Sequence, residues 1–132
     1  MSIVQTSAAA DLETIGGTLQ TYFDGLYEGD TAKLAEAFHS AAHLYSVGPD
    51  GRAVDLPLAT WLEVVAKRPS AAANGDARED MIVTIDQSGP ATAFAKVRCQ
   101  LPPRFFTDYL TLVKADGRWQ IIAKAFHTDT RD

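Results

Sequence analysis

Two ionisable side chains, Asp108 and His127, are the strongest candidates for chemistry in this sequence. Both stand among apolar residues in segments near the C-terminus where polar and apolar types alternate. A carboxylate that orients an imidazole makes a usable general acid/base, since histidine changes protonation near neutral pH. The pair would suit enolisation, dehydration or an aldol-type closure. In the alternative that we favour, Asp108 accepts structural hydrogen bonds and His127 lies near the end of a strand, because buried polar groups are usually satisfied structurally.

A second group of residues could form the wall of a binding pocket. Its aromatic members offer flat surfaces together with phenol or indole groups that orient a ligand, although core packing is an equally good interpretation of them. Cys99 is expected beside Asp108 in an apolar setting, which disfavours its thiolate and makes it a packing residue. The predicted ligand-binding residues are Tyr45, Trp61, Cys99, Leu110 and Trp119.

The sequence offers no convincing metal or cofactor site. His39 and His43 are four residues apart, but Ser40-Ala41-Ala42 between them is typical of the exit from a helix, and a catalytic zinc site normally needs three protein ligands. Phosphate-binding glycine loops and the motifs of serine hydrolases and zincins are missing. We therefore expect no metal and no cofactor. For Arg104, in a proline-rich loop, we favour a solvent position over binding an acidic ligand at a cavity mouth.

Helices dominate the first half of the predicted fold. A three- and four-residue apolar spacing predicts one amphipathic helix, formed by Leu12, Ile15, Leu19, Tyr22, Phe23 and Leu26. Gly29 is a helix stop and Asp30 the N-cap of a second helix. A strand covers His43–Val47, a third helix starts at Pro57 and ends at Arg68-Pro69, and 70–77 is a loop.

Strands dominate the second half, where apolar residues recur at every second position. They are Met81–Gln87, Thr92–Leu101, Phe106–Ala115 and Arg118–His127. Asp116-Gly117 predicts a two-residue type I′ turn.

That turn would set Leu112 opposite Ile121 and Asp108 opposite Ala125, which leaves Asp108 and His127 as diagonal neighbours about 7–8 Å apart. Matching of apolar faces in the preceding hairpin sets Val97 against Leu110 and Cys99 against Asp108.

The other face of this predicted sheet is too apolar to be fully solvated. Exposed apolar patches of this kind usually mark contacts between subunits. We predict a homodimer interface that contains Phe94, Tyr109, Ile122 and Phe126.

The order helix, helix, strand, helix and then long antiparallel strands resembles the nuclear transport factor 2-like superfamily. The segments YFDGLYEGDTAKLAEAFHSAAHLYSVGPDGR and FTDYLTLVKADGRWQIIAKAFH are similar to its SnoaL-like and putative lumazine-binding branch. The resemblance implies a single α+β domain over 1–132, in which three N-terminal helices pack on a curved antiparallel sheet around the cavity of a cone. It also implies a dimer through the sheet. It does not select an activity, because the superfamily includes ketosteroid isomerases, dehydratases, polyketide cyclases and non-catalytic binding domains.

Composition argues against several classes of function. A net charge of −5 with scattered Lys and Arg residues argues against nucleic-acid binding. A single cysteine excludes an internal disulfide, and neither a signal sequence in Met1–Ala10 nor a bilayer-spanning apolar run is visible, so we expect a cytoplasmic protein that does not contact membranes. We expect it to bind a small, largely apolar or ring-containing molecule. The alternatives are a cofactor-free lyase, isomerase or cyclase using Asp108 and His127, and an accessory structural dimer.

Overall fold

The computed structural model describes residues 8–131, which form four helices and six strands. The predicted absence of a targeting signal falls largely on residues outside this range. The helices are α1 (Ala8–Glu28), α2 (Thr31–Ala37), α3 (Leu58–Lys67) and α4 (Ala71–Asn74). The strands are β1 (Phe38–Val47), β2 (Ala53–Pro57), β3 (Met81–Ser88), β4 (Thr92–Leu101), β5 (Arg104–Ala115) and β6 (Arg118–Thr130).

The α1 helix buries the apolar face that its spacing predicts. The exception is Leu12, which is 51% exposed, while its neighbour Asp11 is buried. Gly29 ends the helix with φ of +67°, and the Asp30 side chain accepts hydrogen bonds from the first backbone N–H groups of α2. The helix end at Gly29 and the N-cap at Asp30 were predicted correctly, because each depends on residues that are neighbours in the sequence.

The six strands form one open, mixed sheet in the order β2-β1-β6-β5-β4-β3. The prediction of an antiparallel sheet is wrong for one pair, since β1 runs parallel to β6. A parallel pair needs a long crossover, and here the chain from β2 through β5 supplies it. Strand β2 was not predicted, and the short α4 lies where the prediction had a loop.

Strand registers depart from prediction at two places. Leu112 lies opposite Ile121 as expected, but Ile122 is an extra residue in β6, so that Lys124 pairs with Leu110 and Phe126 with Asp108. This β-bulge exchanges the two faces of β6 beyond it.

In the other hairpin, Val97 faces Asp108 and Cys99 faces Phe106, two residues away from the predicted register. The reason is a shorter loop: Leu101 pairs with Arg104 directly across Pro102-Pro103.

The core lies between the helices and the concave face of the sheet, as in an α+β cone. Its centre is aromatic: the ring centroids of Tyr22 and Phe38 are 5.6 Å apart, and those of Phe38 and Trp61 are 5.5 Å apart. Within residues 8–131, no helix is long and apolar enough to cross a membrane.

Candidate functional site

A buried carboxylate on β5 is the centre of the candidate site. The Tyr22 hydroxyl, on α1, donates a hydrogen bond to Asp108 Oδ2 at 2.5 Å, and both residues are fully buried. The Cys99 thiol lies 3.8 Å from the same oxygen. Asp108 Oδ1 is buried and has no hydrogen-bond partner among the described residues. One carboxylate oxygen is thus held by protein, and the other keeps its full capacity to accept a proton or a hydrogen bond.

Both hydrogen donors around Asp108 stay protonated near neutral pH. Burial, followed by the negative charge of Asp108, raises the pKa of Tyr22 well above its usual value. Burial and the same carboxylate also raise the pKa of the Cys99 thiol. Tyr22 therefore keeps the proton that it donates to Asp108, and the surroundings of Cys99 disfavour the thiolate that a nucleophilic role would need.

The third partner of Asp108 is a lysine. Lys124 Nζ lies 3.9 Å from Asp108 Oδ2, and the residue is only 5% exposed. Its ammonium also lies 4.9–5.2 Å from the ring centroids of Tyr22, Trp61 and Phe126. An ion pair and three cation–π contacts compensate in part for the loss of water around the buried charge.

A cavity of about 190 Å³ opens between α1, α3 and the ends of β4, β5 and β6. Its walls include the aromatic side chains of Trp61, Phe106 and Phe126. Its cationic side chains are Arg68, Arg104 and Lys124. The volume is below the roughly 300–1,000 Å³ of pockets for drug-sized ligands, so it suits a small ring compound. Asp108 is fully buried and is not among the lining residues, but Lys124, which contacts its carboxylate, is one of them.

The structure does not bring the predicted acid/base pair together. His127 lies opposite Thr107, its side chain is 71% exposed, and it contacts Asp129 at 3.0 Å. The bulge at Ile122 turns His127 to the outer face, whereas Asp108 points into the core. The predicted proximity of Asp108 and His127 is therefore wrong.

The five predicted ligand-binding residues are also dispersed. Trp61 lies in the cavity wall, but Leu110 is buried in the core. Tyr45 is 40% exposed on the outer face, where it stacks on His43. The Trp119 indole N–H donates to Asp11 at 3.3 Å, so this residue anchors the start of α1.

Cys99 borders a second, open cleft of about 740 Å³ at the ends of β3 to β6. Charges of both signs line this cleft, among them Arg78, Asp80, Arg98 and Asp129. The Arg78 guanidinium is already paired with Asp24 and Asp80. The cleft therefore carries both acidic and basic side chains, whereas the charged side chains that line the smaller cavity are all basic.

Of the four predicted interface residues, Phe94 and Tyr109 lie on the outer face, where their rings stack at 5.9 Å. Ile122 is the half-buried bulge residue. Phe126 lines the cavity, so its assignment to the outer face is wrong for the same reason as that of His127.

Sequence reasoning missed three residues of the site: Tyr22, Arg68 and Lys124. Tyr22 could have been found, because a phenol on the buried face of a helix needs a hydrogen-bond partner. The positions of Lys124 and Arg68 carried no comparable signal, since one depends on the bulge and the other was recognised only as a helix end.

Comparisons with known proteins place this arrangement in a family. A curated relative, the aldolase FrzH from Cladobotryum sp, is 26% identical over 125 residues, which cover 93% of this chain and 95% of that protein. A protein of unknown function from Shewanella baltica superposes with a TM-score of 0.86 at 23% identity, covering 96% of this chain and all of that one. A Methylobacillus flagellatus protein of unknown function has a TM-score of 0.80 at 26% identity, covering 96% and 98% of the two chains. Both structures are described as nuclear transport factor 2-like. The family model described as "putative lumazine-binding" matches residues 10–127, and the chain belongs to that family.

Proposed function

We propose that the protein binds a small ring-containing molecule in the cavity between α1, α3 and the sheet. The observation that carries this proposal is the set of aromatic walls around a space of about 190 Å³, formed by Trp61, Phe106 and Phe126. Ring systems gain both buried area and favourable ring–ring geometry in such a space. The family description, which refers to lumazine, a bicyclic ring, agrees with this class of ligand.

The test uses 2-naphthamide, a neutral bicyclic probe, in calorimetric titrations. We expect saturable binding that weakens about tenfold in Phe106→Ala, because the variant removes one aromatic wall. Phe94→Ala is the matched control, since Phe94 lies on the outer face and its loss should leave the affinity unchanged. Absence of saturable heat up to millimolar probe, or equal affinity in Phe106→Ala and the wild type, contradicts the proposal.

A second candidate function is a cofactor-free lyase, isomerase or cyclase. Its support is the Asp108 carboxylate beside the Lys124 ammonium. One carboxylate oxygen is held by Tyr22, and the other has no hydrogen-bond partner within residues 8–131. In this mechanism Asp108 takes a proton from a carbon acid, and Lys124 stabilises the enolate oxygen that forms. His127 has no part in it. The aldolase relative gives this candidate further support.

Exchange of α-hydrogens for deuterium in 2-tetralone, an enolisable bicyclic ketone, tests the second candidate. The protein should accelerate the exchange observed by NMR, and Asp108→Asn should abolish the acceleration. Tyr22→Phe should reduce it while Asp108 remains present. Exchange at the buffer rate, or full activity in Asp108→Asn, rules this mechanism out.

We also propose a homodimer through the outer face of the sheet. Apolar exposure supports it: Tyr109 is 46% exposed and stacks on Phe94, and Met81 is 55% exposed. Tyr109→Glu should halve the mass measured by light scattering. Leu12→Glu, an equally exposed apolar position on α1, should leave the mass unchanged. A wild-type monomer contradicts this proposal.

A further inference from the structure

The cavity combines aromatic walls with an excess of positive charge. Arg68 and Arg104 lie at its mouth and Lys124 at its floor, and none of the described residues that line it is acidic. Asp108, beneath the wall, offsets the charge of Lys124 alone. Within residues 8–131, neither Arg68 nor Arg104 has a carboxylate partner. The described part of the chain therefore supplies no carboxylate partner for two guanidinium groups that border the cavity.

Arg68 and Arg104 both border this cavity, so their charges act on the same space. Burial, together with the neighbouring charge of Arg104, lowers the pKa of Arg68. Arg104 also lies 5.9 Å from the Phe106 ring centroid, so that one guanidinium and one aromatic wall border the same space. Like charges that approach each other around a cavity are stabilised by an anion placed between them.

This positive region stands out against the rest of the molecule. The chain has a formal net charge of −5, so a general excess of lysine and arginine does not account for it. A cleft lined by one sign of charge with apolar walls concentrates the electric field and attracts ligands of opposite sign. Guanidinium groups also match the planar geometry of a carboxylate and can bind it through two parallel hydrogen bonds.

We propose that the ligand of the cavity is an aromatic carboxylate, or a ring compound with an equivalent oxyanion, bound by Arg68 and Arg104. The inference rests on the ring-binding function proposed above and specifies its ligand class. The ring lies against Trp61, Phe106 and Phe126, and the oxyanion lies at the mouth between the two guanidinium groups. This differs from the sequence-based expectation for Arg104, which favoured solvent.

The experiment compares 2-naphthoate with 2-naphthamide, which share one ring system and differ in charge. We expect the wild type to bind 2-naphthoate at least tenfold more tightly than the amide at low ionic strength, with the difference shrinking as salt is added. Arg68→Met and Arg104→Met should each weaken naphthoate binding about tenfold and change amide binding less than about twofold. Arg52→Met is the control, because Arg52 is an exposed arginine in the β1–β2 turn.

The outcomes separate the two proposals. If 2-naphthamide binds as tightly as 2-naphthoate, or if both arginine variants behave like Arg52→Met, the anion assignment is wrong while ring binding stands. If neither probe binds, both proposals fail. Arg68 and Arg104 are solvent-accessible at the mouth, so their variants test the assignment without the folding cost of replacing buried Lys124.

Discussion

Replacement of Lys124 by methionine tests whether the buried charges of the site are energetically coupled. Methionine keeps an unbranched apolar side chain between the three rings but removes the ammonium that lies 3.9 Å from Asp108 Oδ2. At an effective dielectric constant of about 20, two unit charges at that distance attract by about 4 kcal/mol. Loss of one partner of a buried ion pair typically costs about 3–5 kcal/mol, so we expect Lys124→Met to lower the free energy of unfolding by that amount.

The second variant, Asp108→Asn, isolates the coupling. Asparagine keeps an oxygen that accepts the Tyr22 hydrogen bond but carries no charge. Once Asp108 is neutral, removal of the Lys124 ammonium no longer leaves an uncompensated carboxylate. The double variant should therefore be at least about 2 kcal/mol more stable than the sum of the two single effects predicts.

Urea unfolding at pH 7, followed by tryptophan fluorescence, measures all four proteins of this cycle. Lys33→Met is the control, because the Lys33–Glu28 pair is at the surface with both side chains about 40% exposed. It should change stability by less than about 1 kcal/mol. Single effects that add within about 0.5 kcal/mol would show that Lys124 and Asp108 are not coupled, and the electrostatic account of the site would fail.

Three other perturbations have defined outcomes. A hydrogen bond from Gln87 is the main cause that lowers the pKa of Asp11. Because the pKa is lower in the folded state, the ionised Asp11 stabilises the fold above the unfolded pKa of about 3.9. This contribution to the free energy of unfolding is lost as pH falls through the folded pKa. Asp11→Asn should thus reduce the melting temperature at pH 7 and weaken its decline below pH 4. The buried Cys99 thiol, with its raised pKa, should react with iodoacetamide at pH 8 only in urea; labelling of the folded protein at the unfolded rate would contradict this. Gly16→Ala, inside α1, should raise the free energy of unfolding measured in urea by about 0.5–1 kcal/mol. Gly117→Ala, at φ of +77°, should lower it by about 1–2 kcal/mol. A change in the same direction for both substitutions would contradict the backbone conformations described for these two glycines.

Local elements of the fold were predictable from the sequence. The turn at Asp116-Gly117 has positive φ at both positions, as the type I′ prediction requires, and β4 has the predicted bounds. The buried face of α1 follows its spacing, with the exception of Leu12. Each of these features depends on a few neighbouring residues, whose conformational preferences act before distant parts of the chain meet.

Pairing between distant segments was predicted less well. The parallel pairing of β1 with β6 and the unassigned β2 depend on how the chain returns to the sheet edge, which no local pattern specifies. Asp11 is buried and Leu12 is exposed, the reverse of what the apolar spacing predicts, and this exchange also depends on distant segments. Asp11 is buried because Trp119, Gln87 and Lys114, all distant in sequence, contact its carboxylate.

A single extra residue in β6 accounts for the largest error at the site. Without the bulge at Ile122, the alternation of β6 would bring His127 inside and leave Lys124 and Phe126 outside. With the bulge, Asp108 faces the Lys124 ammonium, which lies among aromatic rings, and the His127 imidazole lies exposed on the outer face. The chemistry available beneath the cavity changes accordingly, from proton shuttling by a carboxylate–imidazole pair to stabilisation of negative charge by a fixed cation. This shift favours anion binding, and in the second candidate function it leaves the acid/base role to Asp108 without His127.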